Sequence, residues 1–386
     1  MEKDSLLPSD SLENKSKHRM ITFIIITIIL LALSITFIAL YITEKNKDPQ
    51  IKEPGDGGEN ETDIPLQLWN DTDTKKEILN FIELINSKEH YVPKEDRIAV
   101  FDLDGTLFQE TDPVYNDWKL FCHRVLNDST YNASDDERII GEEILTVAIN
   151  NSLPEDLNIR IAESYGDIFK DLTLEEYAKY IKDFVDKPAE GYENLKRGDA
   201  FYKPMIELIE YLKKNDFNVY ISSGTDRYQV RTVIEGHINI PKSNVIGSDY
   251  KIKATKQGNK KANEYEYDLK DKFNFDGEFL AKNLKTNKVI GIIREIGKQP
   301  ILAFGNSGGD SCMANYTINN NKYPSKAFMV CCDDLVRENG NEAKATSMYN
   351  NCEKSGWIPI SMKNDWKTIY GENVERKKGN QTYPSF

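Results

Sequence analysis

Ile98-Ala99-Val100-Phe101-Asp102-Leu103-Asp104-Gly105-Thr106-Leu107-Phe108 is an apolar run of strand formers that delivers two carboxylates onto a Gly-Thr turn. In an open α/β sheet, ligands bind beyond the carboxyl ends of the strands, which is where Asp102 and Asp104 would lie. One residue separates them, and the turn that begins at Asp104 re-aims the second, so the two face a bound group differently. Such a pair suits a nucleophile working beside a proton carrier. The plainer alternative is a strand ending in a solvated acidic turn, since Asp-Gly is ordinary turn chemistry.

Working outward, residues 75–89 precede this strand with Ile78, Phe81, Ile82 and Ile85 at helical spacing. Residues 109–199 follow it and read as helices without a convincing strand. Leu120, Phe121 and Val125 form one apolar face, and Ile139, Ile140, Ile144, Leu145 and Val147 another. Thr173 to Glu176 is a capping box that opens a further helix, with Tyr177, Tyr180, Ile181 and Phe184 inward. After Ala200 strand and helix alternate. Pro204 opens a helix, residues 217–221 form a strand ending at Ser222-Ser223-Gly224-Thr225, and residues 287–296 are helical. Residues 300–304 form a strand ending in Gly305-Asn306-Ser307-Gly308-Gly309-Asp310, and residues 326–330 form one more. Alternation of this kind predicts an α/β fold with a doubly wound parallel sheet, interrupted by an inserted helical cap. The polar segment 251–287 is expected to be a surface excursion or a small hairpin.

The chain has 386 residues and a formal net charge of −13, which argues against a nucleic-acid partner. Residues 20–43 carry no charge and are long enough to cross a bilayer as a helix. The expected organisation is a cytosolic tail at 1–19, a transmembrane signal anchor at 20–43 and a flexible linker at 44–70. A core domain follows at 71–108 and 200–386, with the cap at 109–199. Lysine and arginine counts on the two sides of the span barely decide its orientation. Sequons at Asn60, Asn70, Asn127, Asn132, Asn150, Asn315 and Asn380 lean toward a luminal or extracellular, glycosylated catalytic part. Glu2 to Leu7 matches an acidic dileucine address, so the membrane is endosomal or lysosomal, or the cell surface. Of the five cysteines, Cys312, Cys331, Cys332 and Cys352 lie near one another in sequence and are candidates for two disulfides, with Cys122 left over. None sits in a Cys-x-x-Cys pair, which removes the usual zinc and redox motifs.

Three strands thus end in polar, glycine-containing turns: Asp102/Asp104, Ser223-Gly224, and Asn306 to Asp310. In a parallel sheet those ends share one edge. Carboxylate, amide and backbone oxygens suit Mg²⁺. A Ser-Gly turn before a helix N-terminus suits phosphate oxygens, and Lys288 is a candidate cation. The combination describes phosphoryl transfer.

With those motifs in view, the chain resembles the phosphatases of the haloacid dehalogenase superfamily across about residues 97–335. The first motif is Asp102-Leu103-Asp104-Gly105-Thr106, the second Ser223, the third Lys288 and the fourth Gly305 to Asp310. The inserted cap is similar to that of phosphoserine phosphatase and its secreted relatives, including phosphocholine phosphatases. The resemblance implies a Rossmann-like core and an aspartyl-phosphate intermediate at Asp102. It implies that Asp104 is the acid and then the base, that Ser223 and Gly224 hold phosphate, and that Lys288 screens charge. It also implies Mg²⁺ held by Asp102, the Asp104 carbonyl, Asn306 and Asp310. A proton carrier at Asp104 disfavours dehalogenation, and the Asp-Lys-Thr-Gly-Thr of the ATPase branch is absent. Asn306 stands where the commoner fourth motif has Asp, and Gly308 where some bacterial relatives have another, so weak Mg²⁺ binding is expected. Lys298 competes with Lys288, but it stands just before a strand, where lysines face solvent. Ser222 competes with Ser223, and strand alternation lets only one face the site.

Glu110, Tyr115 and Trp118 follow the first motif closely and suit an amine-bearing leaving group through charge and cation–π contact. Tyr115 and Trp118 packed as cap core is the equal alternative. The expected function is a membrane-anchored, Mg²⁺-dependent hydrolase of a small phosphomonoester. The alternative is a catalytically weak phosphate-binding ectodomain that acts as an interaction module.

Overall fold

The computed structural model describes residues 64–150, 153–377 and 386. The expected tail, membrane anchor and most of the linker lie outside them. No helix among the described residues is long and apolar enough to cross a membrane.

The body begins with α1 (Asp73–Asn86), N-capped by the Thr72 hydroxyl and burying Ile78, Phe81, Ile82 and Ile85 as the spacing predicts. Residues 64–70, assigned from sequence to the end of the linker, pack into the core instead. Trp69 is fully buried, meets the Trp366 ring edge-on at 6.1 Å, and donates from its indole nitrogen to the Pro204 carbonyl at 3.0 Å. Lys, Glu, Asp, Pro and Gly are frequent only up to about residue 64, and the linker was carried past that point into the apolar stretch that holds Trp69.

A seven-stranded sheet forms the centre. Its strands are β1 (Ile98–Phe101), β3 (Asn218–Asp226), β4 (Val245–Ala254), β5 (Phe273–Ala281), β6 (Leu302–Gly305), β7 (Lys326–Cys331) and β8 (Ile358–Ser361). The spatial order is β5-β4-β3-β1-β6-β7-β8, parallel except for the antiparallel β4–β5 pair. Alternate residues serve opposite faces. Ala99, Phe101, Leu302, Phe304, Phe328 and Val330 join one apolar cluster; Ile98, Val100, Ala303, Met329 and Cys331 join the other. Both faces are therefore covered, which is why these strands read as unbroken apolar runs. Phe101, Phe304 and Phe328 stack across three adjacent strands with centroids 4.2 and 5.1 Å apart. Val100 is in register with Tyr220 on one side and Ala303 on the other, so the ends of β3, β1 and β6 emerge together. The chain passes from β1 to β3 on one side and later to β6 on the other, creating the switch point where such sheets bind ligands.

Between β1 and β3 stand α2 (Asn116–Cys122, continued by one π-helical turn), α3 (Asp135–Asn150), α4 (Leu157–Ile168) and α5 (Leu174–Val185). The Thr173–Glu176 capping box is formed. The one strand in this excursion, β2 (Tyr192–Glu193), was not expected; it pairs with β9 (Glu375–Arg376) near the end of the chain. Then come α6 (Lys203–Lys214) with Pro204 in its first turn, and α7 (Arg227–Val233). The helices α8 (Thr286–Glu295), α9 (Ser311–Ile318) and α10 (Glu342–Ser355) complete the crossovers.

Two sequence expectations need correction. The strand expected at 217–221 runs on through Ser-Ser-Gly-Thr to Asp226, with a register shift against β4 between Ser222 and Asp226. The polar segment 251–287 is more than a surface hairpin, because β4 and β5 continue the main sheet. Phe275 on β5 is fully buried against Tyr177 of the cap and Tyr228 and Tyr250 of the core. Its lysines and aspartates hid that role by pairing on the outer face, as Lys251 and Lys253 do with Asp276.

A buried carboxyl ties the loop after β7 to the excursion and to the C-terminal segment. Glu338 accepts hydrogen bonds from Tyr192 Oη at 3.0 Å, from Asn339 N at 2.8 Å, and from Tyr370 Oη. Burial pushes it up to about 7, against those three hydrogen bonds. A carboxyl raised in the folded state stabilises the fold while protonated, and that contribution is lost as pH rises from about 4 to about 7. Glu338→Gln cannot ionise. The melting-temperature difference, variant minus parent, is expected to rise across that window and level off above it; a difference independent of pH would contradict the assignment.

Candidate active site

Asp102 follows β1 directly, and its backbone N–H donates to Phe304 O at 2.8 Å, so the strand end is pinned to β6. The chain then doubles back. Gly105 donates to Phe108 O at 2.7 Å with φ +81°, and a Cβ built there would lie 1.9 Å from the Asn306 amide. Glycine is therefore required both for the turn and for the approach of the Asn306 loop.

Lys288 on α8 is fully buried, and its ammonium has three partners. It donates to Asp102 Oδ1 at 2.6 Å, to Asp310 Oδ1 at 2.6 Å and to the Ser222 carbonyl at 2.5 Å. Burial alone would strip its proton, but the carboxylates of Asp102 and Asp310 outweigh that and hold it above its ordinary value. Lys298 lies half-exposed and bonds Asp96 at 2.7 Å and the Glu95 carbonyl, well outside this cluster.

The two aspartates occupy unlike surroundings. Asp102 is pushed up to about 7 by burial and by the charge of Asp310, against the pull of Lys288. Asp104 has no ion pair among the described residues. It accepts from Thr225 Oγ1 at 2.9 Å and stands 3.5 Å from Ser223 Oγ. Burial, then Asp117 and Asp102, push it well above the carboxylate range. Only the Thr225 hydroxyl and the charge of Lys288 oppose that push.

Asp310, expected to lend the loop its negative charge from behind the direct metal ligands, has both its oxygens taken. Oδ1 holds Lys288, while Oδ2 accepts from Asn306 N at 3.1 Å, Ser307 N at 3.0 Å and Ser307 Oγ at 3.0 Å. It shapes the loop and anchors the lysine rather than facing an ion. What remains suits a cation. The Asn306 amide tip lies 3.3 Å from Asp102 Oδ2 and 3.0 Å from the Asp104 carbonyl oxygen. With the amide oxygen on that side, it stands about 3 Å from each of two further oxygens, the spacing of neighbouring ligands in an octahedral Mg²⁺ shell with bonds near 2.1 Å. With the amide turned over, its nitrogen donates to both oxygens and closes the ring without an ion. Gly308 faces open space.

A cavity of about 230 Å³ opens above this cluster, between the cap and the strand ends. Glu110, Tyr115 and Trp118 line it, while Trp118 is also buried in the main apolar cluster and Tyr115 packs against that cluster, so both readings of these two aromatics meet here. Tyr115 donates to Glu110 Oε1 at 3.1 Å, and its ring lies 5.5 Å from that of Trp118. Of the expected phosphate pair, Gly224 lines the cavity, whereas Ser223 is buried beneath it and accepts from Thr225 N at 3.1 Å. A Cβ at Gly224 would come within 2.8 Å of Leu284, so glycine lets the β5–α8 loop close over the strand end. Ser222 is turned away to Asn283, which donates to its hydroxyl at 3.0 Å.

Sequence reasoning missed Thr225 and Asp117. Thr225 directly follows Ser-Ser-Gly, so the motif itself was the signal. Asp117 stands between two residues already singled out. It is 9 % exposed, lines the cavity, belongs to no ion pair among the described residues, and accepts from Trp118 N at 2.9 Å. Burial raises it, and the Lys282 charge and the first-turn N–H bonds of α2 only partly oppose that.

No protein-family model matches the chain, and no curated protein matches it. Among solved structures it is similar to a conserved protein of unknown function from Anaerococcus prevotii, with 14% identity over 79% of this chain and 97% of that one, at a TM-score of 0.44. It is similar to cytosolic 5'-nucleotidase IIIB bound to cytidine, with 11% identity over 76% and 87% of the two chains, TM-score 0.43. A phosphoserine phosphohydrolase-like protein from Francisella tularensis matches with 15% identity over 68% and 94%, TM-score 0.35. What the site can do follows from its own geometry.

The Asn306 cradle generates a paired prediction. Asn306→Asp places a second carboxylate beside that of Asp102 and the Asp104 carbonyl, with no amide to turn over. The variant is expected to bind Mg²⁺ about tenfold or more tightly by calorimetry, because ligand charge sets affinity. Without Mg²⁺ it should melt lower than the parent. Unchanged Mg²⁺ affinity would mean that position 306 does not face the ion. The parent itself should saturate well above trace Mg²⁺.

Proposed function

We propose that this chain is a phosphomonoester hydrolase of the haloacid dehalogenase type, dependent on Mg²⁺ and working through an aspartyl-phosphate. One observation carries the reading: two carboxylates at one strand end, Asp102 buried and clamped by a buried ammonium, Asp104 half-buried, held by Thr225 and in no ion pair among the described residues. Asp102, held by Lys288, attacks phosphorus as the ester P–O bond breaks, and Asp104 gives its proton to the leaving alcohol oxygen. Water then attacks the aspartyl-phosphate, its proton passing to Asp104, and the P–O bond to Asp102 breaks to release phosphate. Thr225 aims the Asp104 carboxyl, the Gly224 N–H supports a phosphoryl oxygen, and Lys288 offsets the negative charge that gathers. Mg²⁺, held by Asp102, the Asp104 carbonyl and Asn306, would supply further charge neutralisation.

The full chain should hydrolyse p-nitrophenyl phosphate with Mg²⁺ present, and Asp102→Asn should abolish turnover. Equal rates from both proteins would sink the enzyme reading and favour a phosphate-binding interaction module. Asp104→Asn is expected to lose about 10²–10⁴-fold with an alkyl phosphate. The loss should be smaller with p-nitrophenyl phosphate, whose leaving group needs little protonation.

Asp117 supports an amine-bearing class of substrate, in a cavity that Lys282 and Lys285 also line. A buried carboxylate facing a cavity without an ion-pair partner calls for a cation on the ligand. Glu110, Tyr115 and Trp118 beside it favour an ammonium or quaternary amine, so the leaving group is an amino alcohol. Among phosphoserine, phosphocholine and sugar phosphates, Asp117→Asn should raise KM for the amine-bearing substrates by about tenfold or more. KM for p-nitrophenyl phosphate should stay nearly unchanged; an equal rise for all would remove Asp117 from substrate recognition.

The apolar segment 20–43 and the sequons support a single-pass anchor with the catalytic part in a lumen or outside the cell. Glycosidase sensitivity of the expressed protein is the expected sign, and its absence would favour a cytosolic catalytic part.

A further inference from the structure

All five cysteines are free thiols in this structure, so neither of the two expected disulfides is formed. Their positions nevertheless separate one pair from the rest. Cys331 is the last residue of β7, and strand alternation turns it toward the helix-covered face with Ala327 and Met329. Cys352 lies in the last turn of α10, which covers that face, and the two buried cysteines share one apolar cluster. The two thiols act on each other, Cys352 pushing Cys331 up and Cys331 holding Cys352 down, and Cys331 Sγ lies 3.6 Å from Met329 O.

The other three sulfurs point elsewhere. Cys122 lies in the cap, with its sulfur 3.6 Å from Gly141 O. Cys332, just past the end of β7, packs against both apolar clusters, and its sulfur lies 3.6 Å from Asn341 O. Cys312 lies on α9, 3.8 Å from Thr286 Oγ1. Neighbours in a strand face opposite ways, so Cys331 and Cys332 are poorly placed to join each other.

We propose that Cys331 and Cys352 form a disulfide that staples the last crossover, β7–α10–β8, while Cys122, Cys312 and Cys332 remain thiols. The S–S bond forms as the two thiols give up two protons and two electrons. A disulfide of the thiol-oxidoreductase or glutathione class accepts them, and its own S–S bond is reduced to two thiols. Because both sulfurs are buried in the finished fold, the bond closes during folding, before α10 settles on the sheet.

The inference does not depend on the enzymatic reading, and its test does not depend on membrane topology. The full chain is unfolded with reductant, refolded in detergent with reduced and oxidised glutathione, then denatured, alkylated and digested with trypsin. Two of the five thiols are expected to resist alkylation until reduction, with peptide 327–337 joined to peptide 345–354. Cys332→Ser should keep that joined peptide and Cys331→Ser should lose it. Five alkylatable thiols after glutathione refolding, or a link that disappears in Cys332→Ser, would overturn the proposal.

Discussion

The ammonium of Lys288 has three protons and spends each on a different part of the fold. Asp102 belongs to the end of β1, the Ser222 carbonyl to β3, and Asp310 to the loop between β6 and α9. A lysine on α8 thus gathers the ends of three strands. Removing it would leave two buried carboxylates facing each other, and breaking a buried pair typically costs about 3–5 kcal/mol. The same contact that fixes the strand ends also aims Asp102. Fold and site share one interaction here, so the site is as rigid as the sheet.

From that contact the asymmetry between the aspartates follows. Lys288 reaches Asp102 but not Asp104, which is left to Thr225 and to the unfavourable charges of Asp117 and Asp102. Two carboxyl groups one residue apart thereby take different protonation habits without any metal being invoked. The cap takes part as well, because Asp117 comes from its first helix.

Much of this was legible in the sequence, for identifiable reasons. Buried parallel strands must be apolar on both faces, so β1, β6 and β7 read as continuous runs, and their polar ends marked the site. Lys288 was separable from Lys298 because a lysine just before a strand tends to face solvent, and Lys298 is half-exposed and bonds Asp96 away from the cluster. The rest depended on tertiary packing. Trp69 docks beside Trp366, almost three hundred residues away in the chain, and nothing in its neighbourhood predicts that. The β4–β5 pair looked like surface because one of its faces is surface. The roles of Asp310 and Ser223 were blurred because a motif names a residue but not which of its atoms remain free. Thr225 and Asp117 were visible as letters, yet only burial and the lack of an ion pair distinguish Asp117 from any acidic helix start.

The neutral amide of Asn306 also bears on how the strand ends hold together. A further carboxylate at this edge would repel its neighbours, whereas an amide whose nitrogen faces Asp102 Oδ2 and the Asp104 carbonyl donates to both, at 3.3 and 3.0 Å. The loop after β6 is then latched to the turn after β1 by ordinary hydrogen bonds, and that edge of the sheet is complete as a piece of protein.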